Sequence, residues 1–163
     1  MKEKILEAFR DLGFKLEEEE GMGYCFNYEG LNLLYMYNEN DEEFLNIALP
    51  GIVEVEEDRM LQICALLEKI NSTLKYVKTY MLGNSVWLFY ERELFGEEDL
   101  MTVISRMILH LEAGLVFARK AMAEIEETMA NESSDDDTAE SAEEIVAEEI
   151  ADDEAVPYTH LTV

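Results

Sequence analysis

The 163-residue sequence predicts an α+β domain: an antiparallel five-stranded sheet with helices in the order α-β-β-β-α-β-β-α, followed by an acidic tail. Three observations lead there. Apolar residues recur with a helical period in three segments and alternate with period two in five others. The strand-like runs are joined by links too short for parallel crossovers. The negative charge is concentrated at the C-terminal end, which separates a domain from an appendage.

Ile5, Ala8, Phe9 and Leu12 are spaced as one face of a helix and Gly13 stands where a helix turns off, so residues 2–12 read as an amphipathic helix. Met22, Tyr24, Phe26 and Tyr28 then alternate with smaller or polar residues. Glu29-Gly30 supplies a tight turn, and Leu31, Leu33, Tyr35 and Tyr37 resume the alternation, which makes a hairpin. After the turn cluster 38–41, residues 44–49 form a third strand expected to stop at Pro50-Gly51, where a ladder donor is lost. Met60, Ile63, Cys64, Leu67 and Ile70 predict a second helix over 58–70. Residues 73–94 read as two strands joined by Gly83-Asn84, a two-residue link that suits a primed hairpin turn. Glu97, Glu98 and Asp99 place negative charge on the first turn of a third helix, whose stripe of Leu100, Val103, Ile104, Met107, Ile108, Leu111, Leu115 and Ala118 carries it to about residue 129. The division expected is a domain over 1–128 and a largely disordered acidic tail over 129–163, with a weak helical signal at 141–150.

Formal net charge is −26. Fifteen of the 38 acidic residues follow Lys120, where no Lys or Arg occurs; residues 1–120 retain 23 acids against 12 bases, net −11. Phosphate backbones and anionic lipid surfaces are repelled by such a chain, which argues against nucleic acid and membranes as partners. No run of eighteen or more apolar residues is read as a membrane span, and the charged opening Met-Lys-Glu-Lys offers no export signal, so a cytoplasmic location is expected. Cys25 and Cys64 form no CxxC pair and read as buried free thiols.

Nucleophilic catalysis of the Ser-His or Cys-His kind needs a histidine beside the nucleophile, and the chain has only His110, on the third helix, and His160, in the tail. His110 between Leu109 and Leu111 reads as a surface or rim residue. Asn38-x-Asn40-x-Glu42 resembles the start of a calcium loop, but Glu43 occupies the position where that loop needs glycine. Gly21-Met22-Gly23 lacks the third glycine of a dinucleotide fingerprint and leads into a strand. No enzyme, cofactor or metal is expected.

The order of elements, with the opening helix, the strands around 24–28, 31–37 and 44–49, the hairpin 74–94 about Gly83-Asn84 and the closing helix, resembles the type III secretion chaperone-like fold and looks closest to its YbjN-like members, over residues 1–125. The resemblance implies a bacterial cytoplasmic protein, commonly dimeric and without cofactor. Secretion chaperones of this fold hold an unfolded segment of another protein, whereas YbjN-like proteins are described only loosely, as sensory transduction regulators. No functional residue carries over, and the acidic tail departs from the compact chaperone.

The run Val86-Trp87-Leu88-Phe89-Tyr90 is apolar on both sides, and Leu33-Leu34-Tyr35-Met36-Tyr37 nearly so. A sheet packed by helices on one side should be polar on the other, so something is expected to cover the second face. The expectation is a protein-binding module, chaperone-like or regulatory, that uses Tyr35, Tyr37, Trp87, Phe89 and Tyr90 to form a homodimer or to hold a protein client or regulatory partner, by strand addition in the latter case. The rival expectation makes the domain an anchor whose acidic tail folds on a basic partner.

Overall fold

Alternation fixes which side chains of a strand share a face, and the pairing of strands decides what those faces join. The structure, a computed structural model, describes residues 1–134. Helix α1 (Lys2–Asp11) is followed by strands β1 (Glu17–Glu19), β2 (Gly23–Tyr28), β3 (Leu31–Met36) and β4 (Phe44–Glu54). A 3-10 turn (Glu57–Arg59) leads into helix α2 (Met60–Thr73), then strands β5 (Val77–Leu82) and β6 (Ser85–Glu93) and helix α3 (Leu100–Ser134). The strands form one antiparallel sheet in the order β1-β2-β3-β4-β6-β5.

The sheet thus has six strands, not five. β1 is three glutamates, all exposed, and carries no apolar alternation that would mark it in the sequence. It is held by pairing Glu17 with Cys25, Glu18 with Tyr24 and Glu19 with Gly23. Nor does the third expected strand stop at Pro50-Gly51. β4 continues to Glu54 by shifting register between Leu49 and Val53, and Gly51 takes a φ of +62° in that irregular stretch. A bulge is where a strand can accept a residue with no ladder donor.

The three described helices pack on one face. Ile5, Leu6, Ala8 and Phe9 of α1, Ile63, Leu66 and Ile70 of α2, and Ile104, Met107, Ile108, Leu111, Leu115 and Ala118 of α3 join Phe26, Leu33, Tyr35, Leu45, Ile47, Leu49, Val77, Val86, Leu88 and Tyr90 in one core. Phe9 is its aromatic centre, with ring centroids 4.9 Å from Phe26 and 5.5 Å from Tyr35. Gly114 lets α3 come close to the sheet: a Cβ there would stand 3.4 Å from Leu88 Cδ1 and 3.6 Å from Val77 Cγ1. On α2 the buried set includes Leu66, while Cys64 is exposed. The expectation of two buried thiols therefore fails: Cys25 is only half-buried, and Cys64 is turned outward because the buried stripe of α2 runs through Ile63, Leu66 and Ile70.

α3 is long and apolar enough to cross a membrane by length and composition, which corrects the view that no segment approaches a span. Arg106 and Glu112 are its only Lys, Arg, Asp or Glu between Leu100 and Ala118. Its stripe is apolar because it packs the sheet. Met1–Ile125 form one compact unit, and the chain from Glu126 onward falls outside it. Of that stretch, only 126–134 are described, as helix, so α3 runs beyond the expected end near residue 129. The expected acidic tail lies outside the described residues from 135 onward, as does the helical signal at 141–150.

Candidate functional site

The strand residues of opposite parity form a second, separate apolar cluster on the other face of the sheet. Leu34, Ala48 and Phe89 are buried in it, and the partly buried Cys25, Met36 and Trp87 pack around them. Strand register aligns Cys25, Leu34, Ala48 and Phe89 across β2, β3, β4 and β6. No described helix residue enters this cluster. Neighbouring side chains cover it instead: the Tyr80 ring stacks on Phe89 at 4.1 Å and 8°, and Trp87 lies 5.9 Å from Phe89. Tyr80 remains 40% exposed, so the ring that shields Phe89 also meets solvent. The Trp87 indole N–H donates to Ser85 Oγ at 3.0 Å, which fixes the plane of the ring.

The five residues expected to form a binding surface divide between the faces. Trp87 and Phe89 lie on the open face. Tyr35, 1% exposed, and Tyr90, 8% exposed, belong to the helix-covered core and cannot meet a partner on the open face. The reason is register: Tyr35 pairs with Ile47 and Ile47 with Tyr90, so all three point to the helices. Tyr37 lies just past the end of β3, beneath the Lys2 ammonium at 4.6 Å, and its hydroxyl donates to Glu42 Oε1 at 2.7 Å. That hydrogen bond, with burial and the Glu42 charge behind it, pushes the Tyr37 pKa up to about 12. Burial likewise raises that of Tyr35. Cys25, Met36 and Tyr80 belong to the open face and were not singled out from sequence; the period-two spacing of Leu34 with Met36 was the available signal.

At one end of the open face the residues Met22, Met36, Tyr37, Asp41, Phe44, Asn46 and Glu91 line a pocket of about 430 Å³. Glu91 spans two partners, taking the Lys78 ammonium at 2.7 Å on Oε2 and the Asn46 amide N–H at 3.0 Å on Oε1. Asp41 initiates a turn through its backbone, and its carboxylate makes no hydrogen bond or ion pair among the described residues. Cys25 is close to Glu17 and Glu19; burial first, then those carboxylates, push its thiol pKa up, the opposite of what a reactive cysteine requires.

The two sheet edges differ. β1 presents only glutamates. On β5, the Asn71 side chain occupies both backbone groups of Thr79: its Oδ1 accepts the Thr79 N–H at 2.8 Å, and its Nδ2 donates to the Thr79 carbonyl at 3.0 Å. A charged short edge and an edge blocked at its centre both oppose addition of another strand.

His110 packs against the rings of Tyr76 and Tyr90 at 5.1 and 5.8 Å. No described group of three or more His, Cys, Asp or Glu could hold a metal ion. In the stretch weighed as a calcium loop, Asn38 Oδ1 accepts the Asn40 N–H at 3.0 Å and Glu42 is engaged by Tyr37.

No protein-family model and no curated relative matches the sequence. Among solved structures, the fold is similar to that of YbjN from E. coli, with a TM-score of 0.57 and 14% identity over 74% of this chain and 92% of that one. It is also similar to an uncharacterized protein from Methanothermobacter thermautotrophicus, with a TM-score of 0.51 and 17% identity over 78% of this chain and 97% of that one. The expected YbjN-like fold is thereby borne out, as a likeness of fold.

Proposed function

We propose that this chain is a non-enzymatic protein-binding module, regulatory or chaperone-like, that works in the cytoplasm and uses the open face of its sheet to hold a segment of another protein or to pair with a second copy. The observation that carries this reading is the second apolar cluster, Leu34, Ala48 and Phe89 rimmed by Cys25, Met36 and Trp87, on the face that receives no helix among the described residues. Leu34, Ala48 and Phe89 are themselves shielded, and it is the partly exposed rim over them, with Tyr80 at 40% exposure, that presents apolar surface of the kind typical of contact sites. Aromatic rings such as Trp87 and Tyr80 supply large contact area at small entropic cost, as interface residues do.

The E. coli neighbour carries a provisional description as a transcription regulator, which supports a regulatory role. A net charge of −26 opposes direct contact with DNA, so regulation would proceed through a protein. The blocked β5 edge and the charged β1 edge favour binding on the face over strand addition. The test is light scattering and affinity capture with the full chain and with Tyr80→Glu/Trp87→Glu. A dimer or captured protein that disappears in the double variant, with the melting curve retained, supports the reading. A strict monomer that captures nothing overturns it.

A further inference from the structure

Taking the first branch of that reading, a segment of another protein on the open face, we propose that the pocket between the ends of β3, β4 and β6 seats an arginine or lysine side chain of a basic, extended segment. Its walls divide by chemistry. Met22, Met36 and Phe44 are apolar, and Met22 and Phe44 are each 40% exposed, ready to receive the aliphatic stem of a long side chain. Methionine adapts to stems of differing shape, so both basic residues fit. The polar wall offers carboxylate acceptors: that of Asp41, free of partners among the described residues, and that of Glu91, already holding Lys78 and Asn46. A pocket of about 430 Å³ holds one such side chain with its bridging water.

The surroundings select the same sign. Glu17 and Glu19 border Cys25 on this face and Glu93 pairs with Phe44, while the nearby cations are engaged, Lys78 with Glu91 and Lys2 over the ring of Tyr37. A cationic segment is drawn toward this face, and an acidic or phosphorylated one is repelled. Asp41 then supplies a charge-assisted hydrogen bond in a position that no described side chain uses.

A randomised peptide display library panned on the full chain at high salt, where exposed charges are screened, tests the assignment. Enrichment of peptides with Arg or Lys at one fixed position is expected. Binding of an enriched peptide should weaken about tenfold in Asp41→Asn, a variant that leaves apolar packing untouched. Enrichment without a basic position, or with affinity unchanged in Asp41→Asn, overturns the pocket while leaving the face reading intact if Tyr80→Glu/Trp87→Glu abolishes binding. A dimer dissociated by that double variant also overturns it, because the face then belongs to a second copy. No enrichment and no dimer overturns both readings together.

Discussion

At the level of single residues, close packing of backbones leaves the least room for change. Gly23 has a φ of +146° and a Cβ built on it would fall inside the Tyr35 carbonyl oxygen of the neighbouring strand. Gly23→Ala must therefore push β2 from β3, and we expect it to lower unfolding free energy by about 3 kcal/mol or more, as read from urea melts. An unchanged midpoint would mean that the two strands are not this close. The tyrosines respond to pH. Hydrogen bonding to Glu42 raises Tyr37 to about 12, and burial raises Tyr35, from an ordinary value of 10.0. A phenol whose folded pKa is raised keeps its full contribution below pH 10.0 and loses it as pH climbs toward 12, because the unfolded chain releases the proton first. Stability should fall across that window, and less so in Tyr37→Phe; thermal melts from about pH 9 to about 12 measure it.

For single elements, β5 shows how a side chain can finish a sheet. The edge N–H and carbonyl of Thr79 are both satisfied by Asn71, from the last turns of α2. Asn71→Ala frees two partly buried backbone groups, at a cost of about 1–3 kcal/mol, and leaves β5 open to pairing. Lower denaturant midpoint together with concentration-dependent aggregation is the expected outcome, whereas aggregation unchanged would show that the edge is guarded by something else. Elements with a strong period were legible in the sequence: α1, the hairpin of β2 and β3, β6 with its turn, and the stripe of α3. β1 was not, because its glutamates carry no period and its position depends on partners in β2. The far half of β4 was not, because Pro50 reads as a stop unless the register shift beside it is known. The apolar two-sidedness of residues 86–90 was read correctly, but the grouping of Tyr35 and Tyr90 with Trp87 and Phe89 failed: alternation sorts residues within one strand, while cross-strand register decides which sets share a face.

Across the whole molecule, the dominant force beyond the core is self-repulsion. The chain has 38 acidic residues against 12 basic ones, and residues 1–120 alone carry a net −11. The ion pairs Lys78–Glu91 at 2.7 Å and Arg92–Glu98 at 3.9 Å lie at partly exposed positions where such pairs contribute little. Screening should therefore help the folded state more than it harms it. Raising monovalent salt from about 0.05 to about 0.5 M shortens the screening length several-fold, and we expect the melting temperature to rise by a few degrees. The opposite sign would mean that the described ion pairs outweigh repulsion. The same charge shapes recognition, because an acidic molecule with an apolar open face gains most from a partner that brings basic side chains to an apolar surface. Salt should therefore act oppositely on the two processes, stabilising the free chain while weakening its hold on a basic peptide. Measuring both on one preparation keeps the two apart: a melting temperature that falls with salt would contradict the electrostatic account of stability, and an affinity that holds or rises with salt would contradict that of binding.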